Sequence, residues 1–254
     1  MIRAMIFDLD GTLVQSEKLK ARSYAIAVQR LRRLPEPDPA AIEAYREIVG
    51  ATRDVASIHV RDRLGLEPEL APLLEEYEAS DTAEVLAAIR VAIYSEMVAD
   101  SQVIRDNQWP HTVELLRVAK ETHCQTALAT MSHRREALHV LRSLDLERSL
   151  DVVLTREDVE QGKPDPEIYL LAASRLRVEP RDCIVIEDSP SGVRAAVSAG
   201  MNVVALATPF TVAGLHSSQV LDHAWMVHDP ADLAGTVQQR IAEHNGDDST
   251  ESPA

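Results

Sequence analysis

The 254-residue sequence contains little cysteine and little lysine, and it has no long apolar run. Its two cysteines, Cys124 and Cys183, lie in or beside apolar stretches, which argues against a disulfide framework and for buried thiols in a reducing compartment. The apolar N-terminus is short and is interrupted by Arg3, so it does not resemble a signal peptide, and no stretch has the length of a transmembrane helix. We therefore expect a soluble, cytoplasmic protein.

The net charge of −15 argues against a nucleic acid or an anionic membrane as partner, because both would be repelled at long range. The charged fraction of 26% and the hydrophobic fraction of 45% are typical of a globular chain with a substantial core. Lysine occurs only at Lys18, Lys20, Lys120 and Lys163. An acidic protein can still bind a small anion in a locally basic pocket, and a monomer is the default expectation.

The order of predicted elements indicates two parts. After a first strand at residues 1–7, the sequence predicts only helices, at 18–34, 39–49, 53–64, 68–78 and 81–98. Strands at 125–130, 151–154, 183–187, 202–205 and 225–227 then alternate with helices at 111–122, 133–144, 166–176, 191–199 and 230–244. This alternation is typical of an α/β fold with a doubly wound, mostly parallel sheet and a Rossmann-like core. The predicted core comprises residues 1–15 and 106–244, the all-α insert residues 16–105, and a disordered tail residues 245–254.

Two carboxylates follow the first predicted strand directly, in the segment Asp8-Leu9-Asp10-Gly11-Thr12. Asp8 and Asp10 are two residues apart, so in an extended segment they leave on the same side. Two like charges held so close need a cation or a shared proton between them. Gly11 permits a tight turn immediately afterwards. The segment therefore predicts a site at the edge of the sheet, where α/β proteins bind ligands.

Three further polar groups follow later strands. They are the hydroxyl of Thr130, the ammonium of Lys163 in a Gly-Lys-Pro segment, and the acidic pair Glu187 and Asp188. Each alone has an ordinary interpretation: Asp-x-Asp as a solvated turn, Thr130 as a helix N-cap, Lys163 as a surface lysine, and Glu187-Asp188 as the start of a helix. All of them at successive strand ends favour one shared site. Several carboxylates without cysteine or histidine suit a hard cation, Mg²⁺ above all, and a lysine beside a helix N-terminus suits a phosphate.

This set of motifs resembles the haloacid dehalogenase superfamily of phosphotransferases, and the resemblance extends to about His244. Asp8-Leu9-Asp10-Gly11-Thr12 matches its first motif, and Thr130, Lys163 and Glu187-Asp188 match the others in order. The resemblance implies that Asp8 is the nucleophile and Asp10 the general acid/base. It also implies that Asp8, the carbonyl of Asp10, Glu187 and Asp188 hold Mg²⁺, while Thr130 and Lys163 bind the phosphoryl group.

The helical insert resembles the cap domain of the branch that holds β-phosphoglucomutase and small sugar-phosphate phosphatases. Gly50-Ala51-Thr52-Arg53 matches a substrate-gripping cap motif of that branch, and Arg90 falls about where it carries a cationic residue. The alternative for Arg53 is an exposed arginine in the first turn of a helix. Lys20 stands where many relatives have a histidine. An ammonium is a poor proton shuttle near neutral pH, which favours hydrolysis over mutase chemistry.

The sequence therefore predicts a Mg²⁺-dependent phosphatase that removes phosphate from a small phosphorylated metabolite, such as a sugar phosphate, through an aspartyl-phosphate. Two alternatives stay open: a phosphomutase resembling β-phosphoglucomutase, and a non-catalytic protein that binds a phosphorylated metabolite.

Overall fold

In a computed structural model, the protein is described for residues 1–49 and 52–248. The chain forms two compact units. The first consists of Met1–Gln15 together with the chain from Ile104 onward, and the second of Ser16–Val103. Among the described residues, none of the helices has the length and the apolar character that crossing a membrane requires.

The first unit contains a six-stranded sheet in which every strand is parallel to its neighbours. The strands are β1 Ala4–Phe7, β2 Gln125–Ala129, β3 Val152–Leu154, β4 Cys183–Glu187, β5 Asn202–Leu206 and β6 Met226–Val227. Their spatial order is β3-β2-β1-β4-β5-β6, so β1 is central. Phe7 pairs with Leu128 on one side and with Ile186 on the other. The chain therefore leaves β1, β2 and β4 side by side at one edge.

The helices connect these strands and form the second unit. They are α1 Ser16–Arg32, α2 Pro39–Arg46, α3 Arg53–Leu64, α4 Glu67–Leu70, α5 Thr82–Ala99, α6 Ser101–Asp106, α7 Pro110–Glu121, α8 Arg134–Ser143, α9 Glu167–Leu176, α10 Pro190–Ser198, α11 Val212–Ser218 and α12 Leu233–Asp248. Helices α9 and α10 pack on one face of the sheet, and α7 and α12 pack on the other. Strands β1, β4 and β5 are wholly buried, which explains their continuous apolar sequences. The predicted doubly wound α/β class is confirmed.

The second unit, Ser16–Val103, is entirely helical in its described part, with α1, α2, α3 and α5 packed against one another. Its longest helix, α5, begins directly after its N-cap residue, Asp81. The side chain of Asp81 accepts hydrogen bonds from the amides of Ala83 and Glu84, and the amide of Ser80 donates to Glu84. These contacts satisfy amides that the first turn leaves without a helical partner.

Several predicted elements differ from the observed ones. The helix predicted at 68–78 is only α4 followed by the short 3₁₀ turn Ala71–Leu73, because Pro72 offers no amide proton and obstructs the preceding turn. The short helices α6 and α11 were not predicted, since neither has a clear apolar period. Helix α12 continues to Asp248, so residues 245–248 are helical rather than part of a tail; residues 249–254 lie outside the described part.

The two cysteines are free thiols, as the sequence predicts. Cys183 is buried at the start of β4, whereas Cys124, just before β2, is only half-buried. Burial raises the pKa of Cys124 to about 11 and that of Cys183 to about 12, so both are protonated near neutral pH.

Candidate active site

The first aspartate of the leading motif lies at the centre of the sheet edge. The amide of Asp8 donates to the carbonyl of Ile186 at 3.0 Å, which continues the β1–β4 ladder to the point where β1 ends. The carboxylate of Asp8 is buried. After it the chain turns at Gly11, whose φ of 83° is in the left-handed region that favours glycine. The fold therefore fixes Asp8 by the backbone of its own strand and of β4.

Lys163 joins two of the predicted acidic residues. Its Nζ lies 2.7 Å from Oδ1 of Asp8 and 2.7 Å from Oε1 of Glu187. It also donates to the carbonyl of Ala129, at the end of β2, at 3.0 Å. The lysine side chain is only 5% exposed. All three protons of the ammonium are thus directed at the ends of three adjacent strands, and the interpretation of Lys163 as a solvated surface residue is wrong.

Glu187 accepts a full set of hydrogen bonds. Besides Lys163, its Oε1 accepts the hydroxyl of Tyr169 at 2.9 Å. Its Oε2 accepts the amides of Asp188 and Ser189, at 2.8 and 2.9 Å, and the hydroxyl of Ser189 at 3.1 Å. A Cβ on Gly192 would lie 1.6 Å from Oε1, so only glycine fits at that position of α10. This packing fixes the carboxylate at a single position.

Asp188 completes a cluster of three buried carboxylates. One oxygen of each of Asp8, Glu187 and Asp188 lies within 4.8 Å of the others, a spacing that a bound cation can bridge. A Cβ on Gly11 would lie 1.9 Å from Oδ2 of Asp188, so the turn after β1 approaches this carboxylate closely. Carboxylate oxygens in this number fit a hard divalent cation such as Mg²⁺.

The hydroxyl groups after β2 lie on the same edge. Thr130 is buried; its amide donates to the carbonyl of Leu154, and its hydroxyl accepts the amide of Ser132 at 3.0 Å. The hydroxyl of Ser132 donates to the carboxylate of Asp10. Helix α8 has its N-cap at His133, so Thr130 is not the cap that the alternative interpretation proposed. Asp10 is therefore tied to the segment that follows β2.

The charges of the cluster shift the pKa values of its members. Burial raises the pKa of Asp8 to about 7, although the nearby Lys163 acts in the opposite direction. Burial also raises the pKa of Glu187, but Lys163 and the hydrogen bonds to its two oxygens outweigh that effect and lower it. For Lys163, burial lowers the pKa, whereas Asp8 and Glu187 raise it to well above its ordinary range. The lysine is thus a permanent cation between two carboxyl groups.

Sequence reasoning missed two residues of this arrangement. Tyr169 is buried on α9 and reaches Glu187, and its ring faces the ammonium of Lys163 at 4.9 Å. The other is Ser132, whose hydroxyl donates to the carboxylate of Asp10. A tyrosine in the apolar stripe of a helix gives no signal that its hydroxyl is directed at a carboxylate, because that depends on how α9 packs on the sheet.

The cationic residues predicted for the insert lie in different settings within the second unit. Arg53 is exposed in the first turn of α3, and Gly50 and Ala51 of its motif lie outside the described residues. Lys20 pairs with Oε1 of Glu17 at 2.6 Å, and Oε2 of Glu17 accepts the hydroxyl of Tyr45 at 2.5 Å.

Arg90 is the buried cation of that unit. It is only 8% exposed, and its Nε has no hydrogen-bond partner within the described part of the chain. The guanidinium lies 5.4 Å from the ring centre of Tyr24 and 5.8 Å from that of Tyr94. Two tyrosine faces therefore hold the charge without neutralising it.

Comparison with known proteins places this chain among hydrolases. Residues 2–200 match the family described as haloacid dehalogenase-like hydrolase. The chain is 37% identical over 203 residues to a phosphorylated carbohydrates phosphatase of Thermotoga maritima, covering 79% of this chain and 82% of that one. It is 31% identical to the validoxylamine A 7'-phosphate phosphatase of Streptomyces hygroscopicus subsp. limoneus, covering 87% of this chain and 93% of that one.

Comparison with solved structures shows a similar likeness. A Thermotoga maritima protein provisionally described as a β-phosphoglucomutase superposes with a TM-score of 0.65 at 30% identity, covering 94% of this chain and 99% of that one. The chain is an enzyme with the fold of these phosphate-handling proteins. It belongs to the haloacid dehalogenase-like hydrolases.

Proposed function

We propose that this protein is a Mg²⁺-dependent phosphatase that releases phosphate from a small phosphorylated metabolite, a sugar phosphate in particular, through a phosphorylated Asp8. One observation carries the proposal: a buried ammonium, Lys163, lies between Asp8 and Glu187, with Asp188 beside them. The names of the relatives, which include phosphatases of phosphorylated carbohydrates and of phosphoglycolate, support this substrate class.

The proposed reaction has two displacements at phosphorus. The carboxylate of Asp8 attacks phosphorus, the bond to the ester oxygen breaks, and Asp10 gives its proton to the departing alkoxide. Asp10 then takes a proton from water, which attacks the phosphorus of phospho-Asp8 and releases inorganic phosphate and the Asp8 carboxylate. Ser132, which donates to Asp10, holds that acid towards the edge of the sheet. Thr130 and Lys163 bind the oxygens of the transferring group.

The residues present fit a magnesium ion. We propose that Asp8, Asp188 and the main-chain carbonyl of Asp10 hold it. Glu187, predicted as a further ligand, already accepts five hydrogen bonds from protein donors, so we assign it to holding Lys163 instead. The ion, when bound, supplies positive charge that screens the repulsion between the carboxylate of Asp8 and the phosphoryl oxygens.

Gly11→Ala is expected to weaken Mg²⁺ activation at least about tenfold, because the new Cβ would overlap the carboxylate of Asp188 and displace a ligand. The measurement is the Mg²⁺ concentration that gives half-maximal phosphate release. Gly200→Ala is the matched control: Gly200 also has a positive φ, of 74°, but nothing lies within 4 Å of the place that a Cβ would take. It carries the backbone strain alone, of about 1–2 kcal/mol. Equal Mg²⁺ requirements in the two variants would contradict the metal assignment.

The second unit is proposed to supply contacts to the part of the substrate that leaves. Arg90 is suited to an anionic group there, since it is a buried cation without a carboxylate partner among the described residues. Lys20 is less suited, because Glu17 already neutralises it. We infer that substrates with a second anionic group are preferred over substrates with a neutral remainder.

Arg90→Met is expected to raise KM about tenfold for a phosphate ester that also carries a carboxylate or a second phosphate, the loss of one charged hydrogen bond. KM for a sugar monophosphate that carries no charge besides its phosphate should change by less than about twofold. Arg30→Met serves as control, since it removes the same charge from an exposed arginine of the same unit. The measurement is KM for both substrate types in all three proteins, and parallel changes in both types would contradict the assignment.

A phosphomutase is the second candidate, and the likeness to a protein provisionally described as a β-phosphoglucomutase favours it. It would return the phosphoryl group of Asp8 to another hydroxyl of the sugar rather than to water. Lys20, which stands where many relatives have a histidine and which pairs with Glu17, speaks against it.

One experiment tests both candidates. Phosphate release is measured over a panel of sugar phosphates and small phosphate esters, with Mg²⁺ and with a chelator. In the same series, β-glucose 1-phosphate is supplied with a trace of the bisphosphate. Mg²⁺-dependent free phosphate supports the phosphatase, glucose 6-phosphate supports the mutase, and the absence of both products across the panel would contradict both candidates.

A further inference from the structure

Tyr169 contacts both members of the Lys163–Glu187 pair, although it belongs to the apolar core of α9. Its hydroxyl donates to Oε1 of Glu187 at 2.9 Å, and Lys163 lies 4.9 Å from its ring centre. The residue has no exposed surface. Phenylalanine would fill the same space in the core, so packing alone does not require the hydroxyl.

The hydroxyl and the ammonium share one acceptor atom. Oε1 of Glu187 receives Lys163 at 2.7 Å and Tyr169 at 2.9 Å, whereas Oε2 receives groups of the chain that follows β4. A donor to Oε1 withdraws negative charge from that oxygen, so it weakens the attraction between Glu187 and Lys163.

The ammonium has no spare proton. Its three protons are directed to Asp8, Glu187 and the carbonyl of Ala129. To bind a phosphoryl oxygen, Lys163 must give up or share one of these contacts. How strongly Glu187 holds the lysine therefore determines how readily Lys163 turns to the phosphoryl group.

We propose that Tyr169 is a positioning residue that tunes phosphate binding: its hydroxyl relieves Glu187 of part of its charge and leaves Lys163 available to the phosphoryl group. The inference rests on the proposed function. In this role Tyr169 does not contact the substrate and does not transfer a proton in the reaction.

The test is Tyr169→Phe, which removes one oxygen and keeps the ring. The inhibition constant of inorganic phosphate and KM are expected to rise about tenfold, which is the size of effect that the loss of one hydrogen bond to a charged group produces. The value of kcat is expected to fall less than about threefold. The Mg²⁺ concentration for half-maximal activity stays unchanged, because the hydroxyl of Tyr169 donates to Glu187, which is not one of the proposed ligands. Ile168→Val is the control, since it removes a methyl from the neighbouring wholly buried residue of the same helix.

If Tyr169 were only structural, both variants would lose some stability and would keep the phosphate inhibition constant of the unmodified protein. This result would overturn the proposal. A second measurement uses phosphate binding by calorimetry, which needs no turnover, in a cycle with Glu187→Gln. The effect of Tyr169→Phe should vanish when Glu187→Gln is already present, and an equal effect with and without Glu187→Gln would show that Tyr169 does not act through Glu187. Failure of the phosphatase itself is recognised separately, by absence of phosphate release from the unmodified protein.

Discussion

Asp8→Asn is expected to reduce turnover by ~10⁴ or more, because an amide cannot attack phosphorus as a carboxylate does. The substitution keeps the shape of the side chain, and the amide oxygen can still accept from Lys163, whose Nζ lies 2.7 Å from Oδ1 of Asp8. The variant should therefore fold and bind its substrate without turning it over. The measurement is single-turnover phosphate release, with trapping of the phosphorylated enzyme by acid quench.

Asp151→Asn is the matched control for this variant. Asp151 also pairs with a lysine, Lys120, but it lies just before β3, at the opposite edge of the sheet from the active site. Its loss should leave turnover within about twofold of that of the unmodified protein, since the ion pair is at the surface. Substantial activity in Asp8→Asn, or a phosphorylated residue other than Asp8, would remove the proposed nucleophile.

Lys163→Met is expected to affect stability and activity together. The methionine keeps much of the stem, but it leaves Asp8 and Glu187 facing each other in a buried site without their cation. Breaking a buried ion pair in this way costs about 3–5 kcal/mol of unfolding free energy. Activity should fall by about 10³ or more, because the phosphoryl group loses a positive charge in its binding site. Urea unfolding and steady-state phosphate release measure the two effects.

Lys120→Met provides the comparison at the surface. Lys120 pairs with Asp151, and its side chain is 38% exposed, so water screens the charge that remains. The cost should stay below about 1 kcal/mol, and activity should be unchanged. If the two lysine variants lost equal stability, the burial of Lys163 would not be what makes its pair important.

The meeting of the strand ends could be predicted from the sequence, because carboxyl ends of adjacent parallel strands share one edge. Asp8, Lys163, Glu187 and Asp188 are accordingly close together. What each group does for its neighbours could not be predicted. Three of the five donors that saturate Glu187 come from the chain after β4, which turns back towards the carboxylate, and the other two, Lys163 and Tyr169, come from distant parts of the sequence.

Other parts of the structure depend on how the helices pack, which the hydrophobic periodicity of the sequence does not specify. The hydroxyl of Tyr169 reaches Glu187 only because α9 packs on the sheet at a particular rotation. The two aromatic rings near Arg90 come from two different helices, α1 and α5, so the sequence shows a cation but not its surroundings. The prediction of a helix at 68–78 gave too little weight to Pro72, which ends the α-helical part.

The central place of β1 in the sheet has a consequence for biosynthesis. Ala4 pairs with Gln125 on one side and with Cys183 on the other, so β1 leaves the ribosome well before the strands with which it pairs. The helices of Ser16–Val103 pack mainly on one another and need no such delay. A chain cut short before β4 would present the apolar edge of β1 unpaired, a template for aggregation. Chaperone capture of the nascent chain should therefore end only once β4 has been synthesised.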